Sequence, residues 1–221
     1  MQQNEKHRTK KQGSRYWIQK IINSEMKNSL EDSIGEGKIA WLSPLKDDKN
    51  EEYKEYQLSW KPIDNIFGFT KDTFLPWWSF SRQPQWDAIG KTKDDAIILV
   101  EAKAHIGETR SKCRASDNSK LIIQKSLETL HKELSVKKSF DENIWMNKHY
   151  QTANRLLFWY NINKKCNATL VFLNFVNAEH LPTSEQEWEK HSGNVINDLL
   201  GCEISSLPSG IKFIIYDVHK V

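Results

Sequence analysis

The 221-residue chain is poor in the residues that mark several special classes of protein. Its three cysteines include no CxxC pair and no Cys/His pairing at zinc spacing, which excludes a disulfide framework and a structural zinc site. Nine glycines and six prolines are too few for a collagen-like or low-complexity chain. No apolar run approaches the roughly 18 residues of a membrane-spanning helix. We therefore expect a folded protein of a reducing compartment without a membrane segment.

What the chain has is a balanced charge and an aromatic-rich apolar fraction. Its 32 Lys and Arg against 29 Asp and Glu give a net charge of +3, which excludes a histone-like tail and still allows a local basic patch. Nine tryptophans and 38% apolar residues suffice for the core of one domain of this length. Residues 1–13 are polar and basic, so we expect no secretory signal there. They are either a solvated tail or a phosphate-binding arm, of which we expect the tail. We expect a single domain over residues 14–221 and a cytoplasmic location.

Hydrophobic periodicity predicts helices and strands in mixed order. The predicted helices are residues 14–32, 118–134, 144–160 and 184–200, and the predicted strands are residues 53–60, 85–92, 96–105, 169–173 and 211–218. This order predicts an α/β protein with a mixed central sheet flanked by helices.

The most apolar predicted strand ends in charged residues. The run 97–100 is Ile-Ile-Leu-Val, and Glu101, Lys103 and His105 follow it on one face, since side chains alternate along a strand. Charged side chains at the end of such a run are locally unfavourable, and breaks of this kind tend to mark functional sites. We therefore expect any active site to lie here.

The preceding strand offers a second carboxylate, Asp87. In an antiparallel hairpin the numbers of paired residues have a constant sum, so Asp87 faces Glu101 only if that sum is 188, which centres the turn on Asp94. A turn centred on Thr92 would instead separate the two carboxylates by about 10 Å. With the first register, the two carboxylates are expected to bind Mg²⁺, with Mn²⁺ as a substitute, and Lys103 to orient a water. The expected reaction is phosphodiester hydrolysis.

At these positions the sequence resembles the PD-(D/E)XK nuclease superfamily. Asp87 stands in the place of the motif aspartate, and Glu101 and Lys103 stand in the (D/E)XK triplet; Trp86 occupies the position before the aspartate, where the family has proline. The resemblance covers roughly residues 14–175. It implies a restriction-endonuclease-like αβββαβ core, here with an additional C-terminal helix and strand. It also implies DNA as the expected substrate, while the modest net charge leaves RNA open.

Further residues are candidates for the same site. Glu25, on the apolar side of the first predicted helix, is either a helix-surface residue or, by the resemblance, an additional acidic metal ligand. Gln151 resembles the glutamine that faces the site in the exonuclease-like branch of the superfamily, and Gln124 competes for that role. Arg155 shares a helical face with Gln151, so either side chain can contact a phosphate or the water.

The nucleic-acid contacts and the activity leave alternatives open. Arg110, Arg155 and His105 are candidate nucleic-acid-binding residues, although charged residues in such positions are more often only solvated. A catalytically silent nuclease-fold protein that binds nucleic acid or regulates, and a hydrolase of small phosphate compounds, are the competing functions. The sequence leaves open whether two copies pair into a homodimer.

Overall fold

The structure, a computed structural model, describes residues 13–46, 53–54, 57–59, 61–78, 83–179 and 181–219. Seven α-helices and seven β-strands lie in these ranges. The helices are α1 (Ser14–Ile22), α2 (Met26–Ile34), α3 (Lys61–Phe67), α4 (Lys71–Phe74), α5 (Asp117–Glu133), α6 (Tyr150–Asn163) and α7 (Glu185–Leu200). The strands are β1 (Ile39–Ser43), β2 (Leu45–Lys46), β3 (Tyr53–Lys54), β4 (Ala88–Thr92), β5 (Ile97–Lys103), β6 (Ala168–Val176) and β7 (Ile211–Asp217).

Five strands form one mixed sheet in the order β1-β4-β5-β6-β7. β4 lies antiparallel to both of its neighbours, β1 and β5, whereas β5, β6 and β7 run parallel to one another. β2 and β3 pair separately. The predicted α/β class, with a mixed sheet flanked by helices, is therefore confirmed.

Helices cover both faces of the sheet, and strand alternation decides which face each side chain meets. Ile98 and Val100 of β5 pack in the cluster formed with α1 and α2. Ile97 and Leu99 point the other way, into the cluster that includes residues of α5, α6 and α7. Glu101 and Lys103 continue the second series, so β5 directs them towards α6.

Two of the predicted helices, residues 118–134 and 184–200, match the structure closely. α5 agrees with the prediction to within one residue at each end, and α7 begins directly after its predicted start. The start of α7 is fixed by a capping box, in which Ser184 Oγ accepts the N–H of Glu187 (3.3 Å) and Glu187 Oε2 accepts the N–H of Ser184 (2.8 Å).

The first predicted helix, residues 14–32, is in fact two helices. The chain leaves the helical path at Asn23, whose Nδ2 donates to the carbonyls of Gln19 (2.8 Å) and Pro44 (2.7 Å). An asparagine side chain that bonds nearby backbone groups competes with helix continuation. α2 then starts at Met26, so residues 23–25 lie between two helices and do not follow the spacing of one continuous helix.

The region 35–84 holds the largest departures from the predicted strands. Its strand in the main sheet is β1, which the sequence analysis did not identify. Of the predicted strand 53–60, only Tyr53–Lys54 is a strand, and residues 55–56 and 60 lie outside the described residues. The predicted tail, apart from Gly13, lies outside them as well. In the described part of the chain no helix is long and apolar enough to span a bilayer.

Gly90 of β4 provides a test of how β1 packs on the hairpin. A Cβ at this position would overlap Ile39 Cγ2 and lie 3.2 Å from Trp41 Cε3. We expect Gly90→Ala to lower the free energy of unfolding by about 1–3 kcal/mol, because the added methyl group would have to displace the side chains of Ile39 and Trp41. Gly193→Ala is the matched control, since Gly193 lies in α7 with no atom within 4 Å of its added Cβ. It should raise stability by up to about 1 kcal/mol in denaturant titrations, and equal losses in the two variants would contradict this packing.

Candidate active site

The register of the β4–β5 hairpin places Asp87 opposite Glu101. All four residue pairs of these strands have numbers that sum to 188, which confirms the predicted register. Asp87, one residue before β4, donates its N–H to the carbonyl of Val100 (3.1 Å), and its Oδ2 accepts the N–H of Ala102 (2.7 Å). The hairpin therefore fixes the Asp87 carboxylate at the end of β5 that carries the charged residues.

Two cations from different elements hold Glu101. Lys103 donates a hydrogen bond from Nζ to Oε1 of Glu101, and Arg155 of α6 donates from Nε to Oε2 (2.6 Å). The guanidinium of Arg155 also lies 4.8 Å from the ring centre of Trp86. Glu101 is 3% exposed and Arg155 6% exposed. Since a buried charge is costly unless it is paired, these contacts are what allows a carboxylate at this depth.

The two carboxylates have opposite pKa shifts. Burial, followed by the negative charge of Glu101, raises the pKa of Asp87 to about 7. Burial also acts to raise the pKa of Glu101, but the charges and hydrogen bonds of Arg155 and Lys103 outweigh it and hold that pKa below its usual range. Near neutral pH, Glu101 is thus the charged member of the pair, and Asp87 is only partly ionised.

Asp87 and Glu101 are the residues of this site that could hold a Mg²⁺ ion. Proteins commonly bind Mg²⁺ through one or two carboxylates, with waters and a substrate phosphate as the other ligands. A cation beside Asp87 and Glu101 would remove the repulsion between them. Arg155 and Lys103 compete with it, because both already bond Glu101. Among the described residues, no group of three or more His, Cys, Asp or Glu side chains is arranged to hold a metal.

Glu25 does not lie on a buried helical face, and that prediction is wrong. It occupies the break between α1 and α2, is exposed, and accepts a hydrogen bond from Asn28 Nδ2 at Oε2 (3.0 Å). The two helices pack on the face of the sheet opposite to Glu101. The structure therefore does not bring Glu25 to the Asp87 and Glu101 carboxylates as a third acidic ligand.

Gln151, the second residue of α6, lies beside the charged cluster. It lines a cavity of about 30 Å³ together with Glu101 and Lys103, a space that accommodates a water molecule. The backbone N–H of Gln151 donates to Ser111 Oγ (2.6 Å), which anchors the start of the helix. Gln124 instead donates from Nε2 to Glu128 on its own helix (2.9 Å). Of the two glutamines, only Gln151 lines this cavity.

The predicted nucleic-acid contacts have different environments. Arg155, which we expected to contact a phosphate or the water, is buried, with Nη2 donating to the carbonyl of Gln85 (2.9 Å) in addition to its bond with Glu101. Arg110 is exposed, whereas His105 is half-buried with Nε2 3.6 Å from Glu108 Oε1. Arg110 thus has the solvent access that a phosphate contact needs.

Two residues that the sequence analysis did not select also line the small cavity. Thr109 and His191 lie on its wall, with Thr109 Oγ1 2.7 Å from His191 Nε2. Burial, and after it the neighbouring positive charges, lowers the pKa of His191 and favours the neutral imidazole. His191 comes from α7, far along the chain from Lys103, and a lone histidine in a helix carries no signal of such a contact.

No protein-family model, no curated protein sequence and no solved structure matches the chain. The α/β fold and the cluster of Asp87, Glu101, Lys103 and Arg155 are therefore the basis on which a function can be assigned.

Proposed function

We propose that the protein is a Mg²⁺-dependent nuclease of the PD-(D/E)XK superfamily, with a restriction-endonuclease-like fold, that hydrolyses phosphodiester bonds in DNA. The observation that carries the proposal is the convergence of Asp87, Glu101 and Lys103 at one end of the β4–β5 hairpin. The element order supports it: a helical segment, three antiparallel strands of the main sheet, helices and a parallel strand precede the additional α7 and β7.

Four residues at the site have a role in this reaction. Asp87 and Glu101 would hold the ion, which when bound lowers the pKa of a water and offsets charge on the phosphate. Lys103 borders the small cavity and can orient the attacking water there through its ammonium group. Gln151 lines the same cavity and can hydrogen-bond that water or a phosphate oxygen.

The first test is cleavage itself, with Lys103 as the variable. Supercoiled plasmid and single-stranded DNA are incubated with the protein in Mg²⁺, in Mn²⁺ and in EDTA. We expect cleavage with either metal, none in EDTA, and a loss of at least about 100-fold in Lys103→Met, since positioned groups of this kind contribute factors of 10²–10⁴.

Lys91→Met is the matched control for that variant. Lys91 lies on the same hairpin and also pairs with a carboxylate, Asp95 (2.5 Å), but β4 places it at the opposite end of the hairpin from Asp87. Its activity should equal that of the unmodified protein, with the folded state of both variants checked by circular dichroism. Cleavage that survives Lys103→Met unchanged would reject the proposed role of Lys103.

One observation favours a second candidate, a silent nuclease-fold protein that binds nucleic acid. Glu101 is already paired with Arg155 and Lys103, so its charge is compensated without a metal. Under this alternative the cluster is a structural network. DNA binding that is measurable without cleavage in either metal would favour it over the nuclease.

A further inference from the structure

A second, larger cavity adjoins the candidate active site between the starts of α5 and α6. Its volume is about 830 Å³, within the range of sites that hold small molecules. Ser116 and Ser119 line it at the start of α5, and Tyr150 and Gln151 line it at the start of α6. We call it the α5–α6 cavity.

Two side chains connect the α5–α6 cavity with the charged cluster. Gln151 lines both this cavity and the small cavity that borders Glu101 and Lys103. Arg155 lines the α5–α6 cavity and hydrogen-bonds Glu101. A molecule in the α5–α6 cavity would therefore contact Arg155, the direct hydrogen-bond partner of Glu101.

The lining combines flat apolar surfaces with hydroxyl, amide and cationic groups. Trp78, Ile123 and Tyr150 supply aromatic and aliphatic walls, and Ser119 is one of several hydroxyl groups. Arg114 is exposed at this cavity and Arg155 is buried in it, whereas no Asp or Glu is among the described residues that line it. An anionic ligand with a flat, partly apolar ring matches this lining.

We propose that the α5–α6 cavity binds an unpaired nucleotide of the DNA strand, with the base against the aromatic wall and a phosphate towards Arg114; this rests on the proposed nuclease function. A base in a duplex is stacked and paired, and must leave the helix at a free-energy cost before it can enter such a space. The substrate class is therefore single-stranded DNA or a strand end that has lost its pairing. Stacking on aromatic side chains tolerates any base, so little sequence preference is expected.

The test measures binding in EDTA, where cleavage plays no part. The probe is a fluorescently labelled single-stranded DNA of about eight nucleotides, a length typical of single-strand binding sites, with the corresponding duplex as the comparison. In anisotropy titrations we expect the single strand to bind at least about tenfold more tightly than the duplex. Ser119→Trp, which fills the cavity from α5, should weaken single-strand binding by at least about tenfold.

Thr129→Trp is the matched control on the same helix. Thr129 is exposed on α5 and lines a different cavity, beside Leu130 and Leu157, so the added ring does not reach the α5–α6 cavity. Its affinity should stay within about twofold of the unmodified protein. Equal affinities of Ser119→Trp and the unmodified protein, tighter binding of the duplex, or no binding of the single strand would each overturn the proposal.

The two proposals fail separately. Cleavage that Ser119→Trp leaves unchanged on single-stranded DNA would reject the nucleotide cavity and keep the nuclease. Binding that Ser119→Trp abolishes, in a protein that cuts neither substrate with Mg²⁺ or Mn²⁺, would keep the cavity and reject the nuclease.

Discussion

Glutamine in place of Glu101 is expected to lower metal-dependent cleavage by at least about 1,000-fold, or about 4 kcal/mol of transition-state stabilisation. The substitution keeps the size of the side chain and its hydrogen-bonding oxygen but removes the charge that would hold the ion. It also removes the negative charge that contributes to the raised pKa of Asp87. Asp87 is then the sole acidic ligand of the pair. Single-turnover cleavage rates on plasmid and single-stranded DNA measure the loss.

Glu31→Gln is the control for this change. Glu31 has the same exposure as Glu101, 3%, and its Oε1 accepts a hydrogen bond from the buried Trp41 Nε1 (3.1 Å). It belongs to α2, which covers the other face of the sheet. Glu31→Gln should cleave at the unmodified rate at a temperature where both variants remain folded. Residual activity of Glu101→Gln within tenfold of that control would contradict a metal-ligand role for Glu101.

The core of the candidate site could be predicted because it depends on local pattern. Two short runs with a turn between them fix a hairpin, and the side-chain period of two then determines which residues face each other. The polar residues 93–95 centre the turn, and Asp95 adopts a left-handed conformation there (φ 63°). With paired residue numbers that sum to 188, Asp87 lies opposite Glu101 whatever the positions of the other elements.

The partners of that core could not be predicted in the same way. Arg155 reaches Glu101 from α6 because α6 packs on the face of β5 that carries the alternate residues Ile97 and Leu99. From its position beside Gln151, Arg155 was expected to contact a phosphate or the water, because helical spacing indicates which face a residue is on but not what that face packs against. His191 comes from α7 and depends on packing that no local pattern encodes.

Glu25 was misplaced because one continuous helix was predicted where the structure has two. Continuous helical spacing over residues 14–32 would place Glu25 on the buried side with Ile21 and Ile22. The bond from Asn23 to Pro44 ends α1 early, and this contact joins residues from different elements. A break of one turn rotates every later residue, so α2 buries Met26, Leu30 and Ile34 and leaves Glu25 in solvent.

We expect Arg155→Met to lower the free energy of unfolding substantially. Methionine keeps much of the apolar stem but leaves the 3%-exposed carboxylate of Glu101 with Lys103 as its remaining cationic partner. Breaking one side of a buried ion pair costs about 3–5 kcal/mol. Because Lys103 remains, we expect a loss near the lower figure in denaturant titrations at neutral pH.

Lys164→Met is the control at the other end of the same helix. Lys164 pairs with Glu133 (2.7 Å) at the protein surface, where both side chains are largely exposed, and its loss should cost at most about 0.5 kcal/mol. The double variant Glu101→Gln/Arg155→Met completes a thermodynamic cycle. Because the two groups share one contact, its total loss should be smaller than the sum of the single losses by at least about 1 kcal/mol. Additive losses would mean that Arg155 stabilises the fold mainly through its contacts with Gln85 and Trp86, and that Glu101 does not depend on it.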